Sequence, residues 1–482
     1  MDYMDQQPPI CDYLHTIPVV IAGLLGFKVA LVFHLLVLAL VLYSTWTLIA
    51  ILSSPATPYS LPARLLLGAG WVTFSLYVVI AEGFGQREHL FVLAYVPWLF
   101  CRDARYRGIG LSRALTISIG LILGPFALLK PHFFLLVVGV EAWMLFRTRR
   151  YSALWSSESV AVIAWALAFG LHFLFVPTAM LKAMFNRWIP LVLADYDSYS
   201  VSWYMLVRSL FSSPVTLIPT VAVAVATAWL LTGRADGDRR LQIESLLAAA
   251  LLGVAVFIQQ GKGWVYQLFP AIGLGVILLA TVVVSALETS RRSNRKGMFG
   301  ATFFGTTVLS ILCMSAIILN LYATAVKFES HHRRRVEDDF AEFIRSYSSK
   351  TDRIAFISSS VNPAYPTLIL ADRLPGTRYS TISVSIPYVY KGIRGQPGKP
   401  FPYRKKGQWS LEERKFLEET GLDILKYRPR LVFVDDTPNC AACPPGFCIN
   451  QYLSTIGWTA NFLRDYKYLL RLHSYAVYQR TD

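Results

Sequence analysis

No G-x-x-x-x-G-K-[ST] run occurs in the 482 residues, so the chain carries no Walker-type loop to harness ATP. Charge is scarce: Asp, Glu, Lys and Arg make up 16% of the residues against 54% hydrophobic ones. A water-soluble protein of this length needs more polar surface than that, so much of the chain is expected to face lipid. Acidic residues are fewer than basic ones, 30 against 46, which leaves a net charge of +16. That excess does not form a nucleic-acid-binding face, because the basic residues are scattered in short stretches between apolar runs. This is the pattern of positively charged cytoplasmic loops, and no nucleic-acid partner is expected. No internal repeat or low-complexity tract stands out. The opening MDYMDQQPPICDYLH is acidic and polar, unlike a basic-then-apolar cleavable leader.

Long apolar runs are present in number, and mean hydropathy is +0.45. Stretches suited to crossing about 30 Å of hydrocarbon recur near 28–53, 63–82, 90–101, 114–129, 132–146, 158–177, 214–232, 243–259, 267–287 and 299–322. The chain therefore reads as a polytopic α-helical membrane protein of about ten helices. Arg102, Arg105, Arg107 and Arg113 fill one connecting loop, and Arg147, Arg149 and Arg150 another. Arg234, Arg239 and Arg240 follow, then Arg291, Arg292, Arg295 and Lys296. These four loops alternate with the span count and are assigned to the cytoplasm, which puts Met1 and the C-terminal region outside. An outer N-terminus with no span before it suggests that a helix precedes residue 1; a short acidic tail that translocates unaided is the alternative. Residues 15–27 read as a short amphipathic helix, and the outer loop 178–212 as amphipathic segments lying on the membrane.

After Tyr322 the composition changes. HHRRRVEDDFAEFIRSYSS reads as a helix, DRIAFISSS and RPRLVFVDD as buried strands, and SLEERKFLEETGLDILKY as a helix between them. The division expected is a transmembrane domain at 1–325 and a soluble α/β domain at 326–482.

Three polar clusters fall on the outer side, where charge near a membrane is costly unless it serves something. The first is DYMDQQPPICDY, with Asp2, Asp5 and Asp12. The second is EGFGQREHL, with Glu82, Gln86, Arg87, Glu88 and His89. The third joins Lys130 and His132 to QQGKGWVYQLFP, with Gln260, Lys262, Trp264, Tyr266 and Gln267. A carboxylate facing several cations suits transfer from a phosphate-linked donor: it takes a proton from an acceptor hydroxyl while the cations neutralise the departing phosphate. Blander readings exist for each cluster, as solvated tail, helix-capping ion pair, snorkelling lysines and an interfacial aromatic belt. Their shared face favours the functional reading. Of the cysteines, Cys440, Cys443 and Cys448 (NCAACPPGFC) lie outside, where disulfides are favoured over a zinc knot.

The acidic pair before PP, the REHL stretch, the KPH turn and the KGWVYQLFP run resemble GT-C-fold glycosyltransferases over about residues 1–325. These are membrane enzymes that use polyprenyl-phosphate sugars, including bacterial relatives of protein mannosyltransferases and of the lipid A aminoarabinose transferase. The resemblance implies Asp5 or Asp2 as general base. It implies a donor-phosphate site at Arg87, Glu88 and His89, to which Lys130, His132 and Lys262 are added as helpers, with Gln86, Trp264 and Tyr266 lining the substrate. The expected activity is inverting transfer to a glycolipid or surface polysaccharide at the outer face of a bacterial inner membrane, with no cofactor beyond room for a divalent cation. A polymerase or ligase using a diphosphate-linked chain, a transporter or flippase, and a scaffold whose outer domain binds a partner are the alternatives.

Overall fold

The computed structural model describes residues 9–292 and 336–481, apart from 56–58, 81–82, 199, 234, 236, 380–385, 391, 397–398 and 439–442. The chain is mostly helical with a small C-terminal sheet, and it divides into two compact units.

One unit, within 7–176 and 201–329, is a helical bundle. Its helices are α1 (Pro9–Leu25), α2 (Val29–Leu52), α3 (Leu61–Ile80), α4 (Arg87–Tyr106), α5 (Arg113–Ala127), α6 (Pro131–Thr148) and α7 (Ser157–His172). After Thr178–Ala183 (α8) and Ile189–Ser198 (α9), which belong to the other unit, come α10 (Trp203–Leu210), α11 (Ile218–Leu231), α12 (Gly237–Gln260) and α13 (Phe269–Arg292). Among the described residues three segments can cross a membrane by length and composition: Val29–Leu52, Arg239–Gln260 and Val265–Thr289. The last is buried throughout, the central rod of the bundle. The runs expected at 114–129, 158–177 and 214–232 form helices of 15, 16 and 14 residues. These are shorter than the ~20 residues of a perpendicular crossing. The run at 299–322 lies outside the described residues.

Leu31, Leu35, Leu38, Leu42, Trp46 and Ile49 form an exposed apolar stripe along α2, while Val37, Leu40, Ser44, Leu48 and Ile51 face inward. The opposite arrangement holds in α4. It carries charge at both ends, yet nearly every one of its residues is buried. Hydropathy marks only its middle, 90–101; the helix runs on to Tyr106 because its terminal charges find partners inside the bundle.

The other unit joins 177–200 to the C-terminal region. Its later elements are α14 (Val336–Tyr347), β1 (Arg353–Ile357), α15 (Ala364–Ala371), β2 (Leu374–Pro375), α16 (Ile386–Val389), α17 (Leu411–Tyr427), β3 (Leu431–Asp435), α18 (Ile449–Thr455), α19 (Trp458–Phe462), β4 (Tyr466–Leu472) and β5 (Tyr475–Arg480). Strand order is β2-β1-β3-β5-β4, parallel across β2-β1-β3 and antiparallel at β3-β5-β4. RIAFI and LVFVD are apolar on both faces because helices cover both. Ile354, Phe356, Leu431 and Phe433 pack under α14 and α15. Their neighbours Ala355, Ile357, Val432 and Val434 pack under α17, α18 and α19. Ser410 caps α17 in a reciprocal box with Glu413.

Part of the loop expected to lie on the membrane belongs to this second face. Trp188 and Leu191 are buried in its core. Arg187 bridges Glu412 (3.2 Å) and Glu419 (3.1 Å) of α17. Burying the indole and pairing the guanidinium outweigh exposure of the same residues at a lipid surface.

Candidate functional site

The second and third polar clusters meet at one end of the bundle. Glu88 stands in the first turn of α4 and Lys130 immediately before α6, where Pro131 starts the helix. Their side chains form a buried ion pair. The Lys130 ammonium also lies 5.8 Å from the centre of the Tyr266 ring and 5.7 Å from that of Phe133. Cation–π attraction of this kind strengthens where water is excluded. Tyr266 in turn stacks on Trp264 at 5.8 Å.

The turn that carries Lys262, Trp264 and Tyr266 depends on glycine. Gly261 and Gly263 have φ of +69°, a left-handed conformation that side-chain-bearing residues rarely adopt. The Gly261 carbonyl accepts from the Val201 amide at 2.9 Å. The reversal between α12 and the turn before α13 leaves Lys262 only 5% exposed. Arg87 lies near enough to Lys130 and His132 for its charge to act on both.

Several polar atoms here are buried without a hydrogen-bond partner among the described residues: Glu88 Oε2, His89 Nε2, His132 Nε2 and Gln267 Oε1. Such groups cost about 1–3 kcal/mol each when left unmade, so each calls for a polar partner beyond the described side chains. The other ring nitrogen of His89 accepts from the Gly85 amide at 3.2 Å, which fixes its tautomer with the proton on Nε2. Nε2–H is then a buried donor without a partner among the described residues. Gln86 is exposed at the N-cap of α4, and Gln260 turns back toward the Val256 carbonyl of its own helix.

Asp2 and Asp5, the expected general base, lie outside the described residues, as does Glu82. Asp12 is exposed on α1. Cys443 is disulfide-bonded, and Cys440 lies outside the described residues. Cys448 departs from expectation: its thiol is free and buried, and its Sγ donates to the Asp436 carboxylate at 3.6 Å. Burial pushes this thiol above its ordinary range, which keeps it protonated and unreactive. Among the described residues no group of three or more His, Cys, Asp or Glu side chains is placed to hold a metal ion.

A second buried polar network occupies the other end of α4. Arg102, fully buried, donates to Glu141 on α6, to Glu158 on α7 at 2.8 Å and to the Ala153 carbonyl at 3.0 Å. Tyr106 donates to Glu141 at 2.7 Å, and Arg105 pairs with Glu158 at 3.2 Å. Nearby, Arg107 pairs with Asp103 at 2.6 Å. Arg239 pairs with Glu288 at 2.6 Å and stacks 4.0 Å over the Tyr59 ring, whose hydroxyl accepts from Gln242. Read in the sequence, these arginines are topology signals. In the structure several of them also tie helices together. Glu141 and Glu158, isolated carboxylates inside or beside apolar runs, were the signal that could have exposed this. No protein-family model matches the chain, and no curated protein matches it.

Proposed function

We propose that the chain is a membrane glycosyltransferase. It moves a sugar from a polyprenyl-phosphate donor to a glycolipid or surface polysaccharide at the outer face of a bacterial inner membrane. The observation that carries this reading is the junction of Glu88, Lys130 and Tyr266, brought from three separate segments to one end of the bundle. The charge of Arg87 reaches Lys130 and His132 there, and polar atoms of Glu88, His89, His132 and Gln267 are buried without a partner among the described residues. A buried ion pair rarely stabilises a fold better than packed apolar residues would. Keeping one among orphaned donors and acceptors is better explained by a ligand.

In this reading Arg87 holds the donor phosphate through its planar fork, while Lys130 and Lys262 supply point charges as the phosphate leaves. Glu88 orients Lys130 and accepts from a ligand hydroxyl, and Trp264 and Tyr266 offer ring faces to the sugar. Asp5 or Asp2 takes the acceptor proton, and direct displacement inverts the anomeric carbon. The exposed stripe on α2 supports a lipid setting. Transport is disfavoured by α4 itself. Between its two polar ends Phe91, Tyr95 and Trp98 stack in sequence, at 4.9 and 5.6 Å, so this helix offers an aromatic rather than a charged middle.

The test is transfer of labelled sugar from polyprenyl-phosphate monosaccharides to lipid and polysaccharide acceptors in proteoliposomes. Wild type is expected to transfer, with Asp5→Asn or Asp2→Asn slowed ~10²–10⁴-fold. Full turnover in both variants removes these residues from the mechanism.

A further inference from the structure

We propose that the C-terminal unit binds an uncharged saccharide in a cavity at the carboxyl ends of β1 and β3, where Ser359, Asn362 and Asp435 converge with Phe340 and Tyr475. This goes beyond the transfer reading and rests on the geometry of the sheet alone.

The topology selects the place. From β1 the chain crosses through α15 to β2 on one side. It then returns through α17 to β3 on the other side of β1. The direction of winding reverses between β1 and β3, and the two crossovers cover opposite faces. In open α/β sheets the loops after two such strands diverge and leave a crevice, which is where ligands settle. A cavity of about 310 Å³ lies there, within the ~300–1,000 Å³ of small-molecule sites. Its size at the low end suits a single sugar ring rather than a chain.

The lining selects the ligand. Ser359 is 2% exposed, and its Oγ has no hydrogen-bond partner among the described residues. Ser358 beside it is satisfied by the Tyr475 hydroxyl at 2.8 Å, so the vacancy at Ser359 is not general to the loop. Asp435 accepts from the Thr437 amide at 3.0 Å through Oδ1 and also from the Thr437 and Ser358 hydroxyls, which hold its carboxylate at the cavity. Asn362 adds a group that both donates and accepts. Hydroxyl, amide and carboxylate together match the paired donors and acceptors of sugar hydroxyls, and carboxylate–hydroxyl bonds are the strong ones among them. Phe340 and Tyr475, buried and edge-to-face at 5.4 Å, close the cavity on its apolar side. Among the described residues no Lys or Arg lines the cavity, and its charged members, Asp435 and Glu337, are both acidic. A phosphate or a sugar acid is therefore repelled, which sets this site apart from the cationic end of the bundle.

The experiment uses the full chain in an amine-oxide detergent, because glycosidic detergents would compete. Saturation-transfer NMR is recorded with glucose, galactose, mannose and N-acetylglucosamine, and with the corresponding 6-phosphates. At least one neutral sugar is expected to bind, with its 6-phosphate at least tenfold weaker. Asp435→Asn should weaken the neutral sugar at least fivefold. Glu337→Lys, at the rim and away from the core, should narrow the gap between sugar and sugar phosphate. The proposal is overturned if no neutral sugar binds, if the phosphates bind equally well, or if folded Asp435→Asn binds like wild type. Should Asp435→Asn fail to fold, an unchanged gap in Glu337→Lys overturns it. The series is recorded in Arg87→Ala as well as in wild type, so that phosphate binding lost with Arg87 is assigned to the bundle and only what remains is scored against this cavity.

Discussion

Glu88 and Lys130 lie in a setting where either charge alone is costly. Desolvating an ion costs several kcal/mol, and only the partner offsets it. Glu88→Gln or Lys130→Met should therefore each destabilise the bundle, by ~3–5 kcal/mol if no rearrangement relieves the stranded charge. The double variant should recover most of that loss, since neither charge then remains. Thermal unfolding of the three variants in detergent forms a double-mutant cycle that reads the coupling directly. Additive losses would mean that the two side chains act independently. A role in catalysis adds a second expectation: the double variant, though stable, should transfer no sugar. Recovery of both stability and transfer would reduce the pair to a staple between α4 and α6.

At the scale of elements, α4 is the helix that organises the bundle. Glu88 and Arg102 are 14 residues apart, about 21 Å along the axis, so the two polar networks are separate. Arg102→Met would leave Glu141 and Glu158 facing each other with less compensation and should destabilise by ~3–5 kcal/mol. Its phosphate binding should stay unchanged once folded, whereas an equal loss of both would mean that the two ends are coupled. In the other unit, 184–198 is held to α17 through Arg187. Burial pushes the Glu419 carboxyl up, but hydrogen bonds from Arg187 and Tyr379, with the charges of Arg187 and Arg378, hold it below its ordinary value of 4.5. A depressed carboxyl contributes stability that is complete above the unfolded value and is lost as pH falls through the folded one. Amide protection of 184–198, corrected for intrinsic exchange, should hold from pH 7 to 5 and fall below about 4.5. Glu419→Gln should lower that protection at neutral pH and flatten its acid step. An acid step that persists in Glu419→Gln assigns it to another group.

For the whole molecule, hydropathy located nearly every helix of the bundle, because apolar runs this dense in a chain so poor in charge must be buried or face lipid. It mistook the ends of α4, since a sequence does not say whether Arg102 meets water or Glu141. The strands β1 and β3 were legible as unbroken apolar runs, and α17 from its helical pattern between them. The docking of Trp188 and Leu191 was not, because its partners lie more than 160 residues away in the chain. In the candidate site, the residue types and their common end were visible in EGFGQREHL, LLKPHFF and QQGKGWVYQLFP. The pairing of Glu88 with Lys130 rather than with its neighbour Arg87 depends on helix packing, which no local pattern encodes. Orientation can be tested with Ser152→Cys, on the arginine-rich end, and Lys350→Cys, both exposed. In intact cells an impermeant thiol reagent should label 350 and spare 152, because basic loops stay inside. Labelling at 152 alone inverts the arrangement. The most direct test of the central claim is binding of a short-chain polyprenyl monophosphate, with the matching polyprenol as control, to wild type, Arg87→Ala and Arg87→Lys. The phosphate is expected to bind wild type at least tenfold tighter than the alcohol, Arg87→Ala to lose most of that preference, and Arg87→Lys to regain part of it. Equal binding of phosphate and alcohol by wild type, or equal phosphate affinity in all three proteins, would contradict a donor-phosphate site at this end of the bundle.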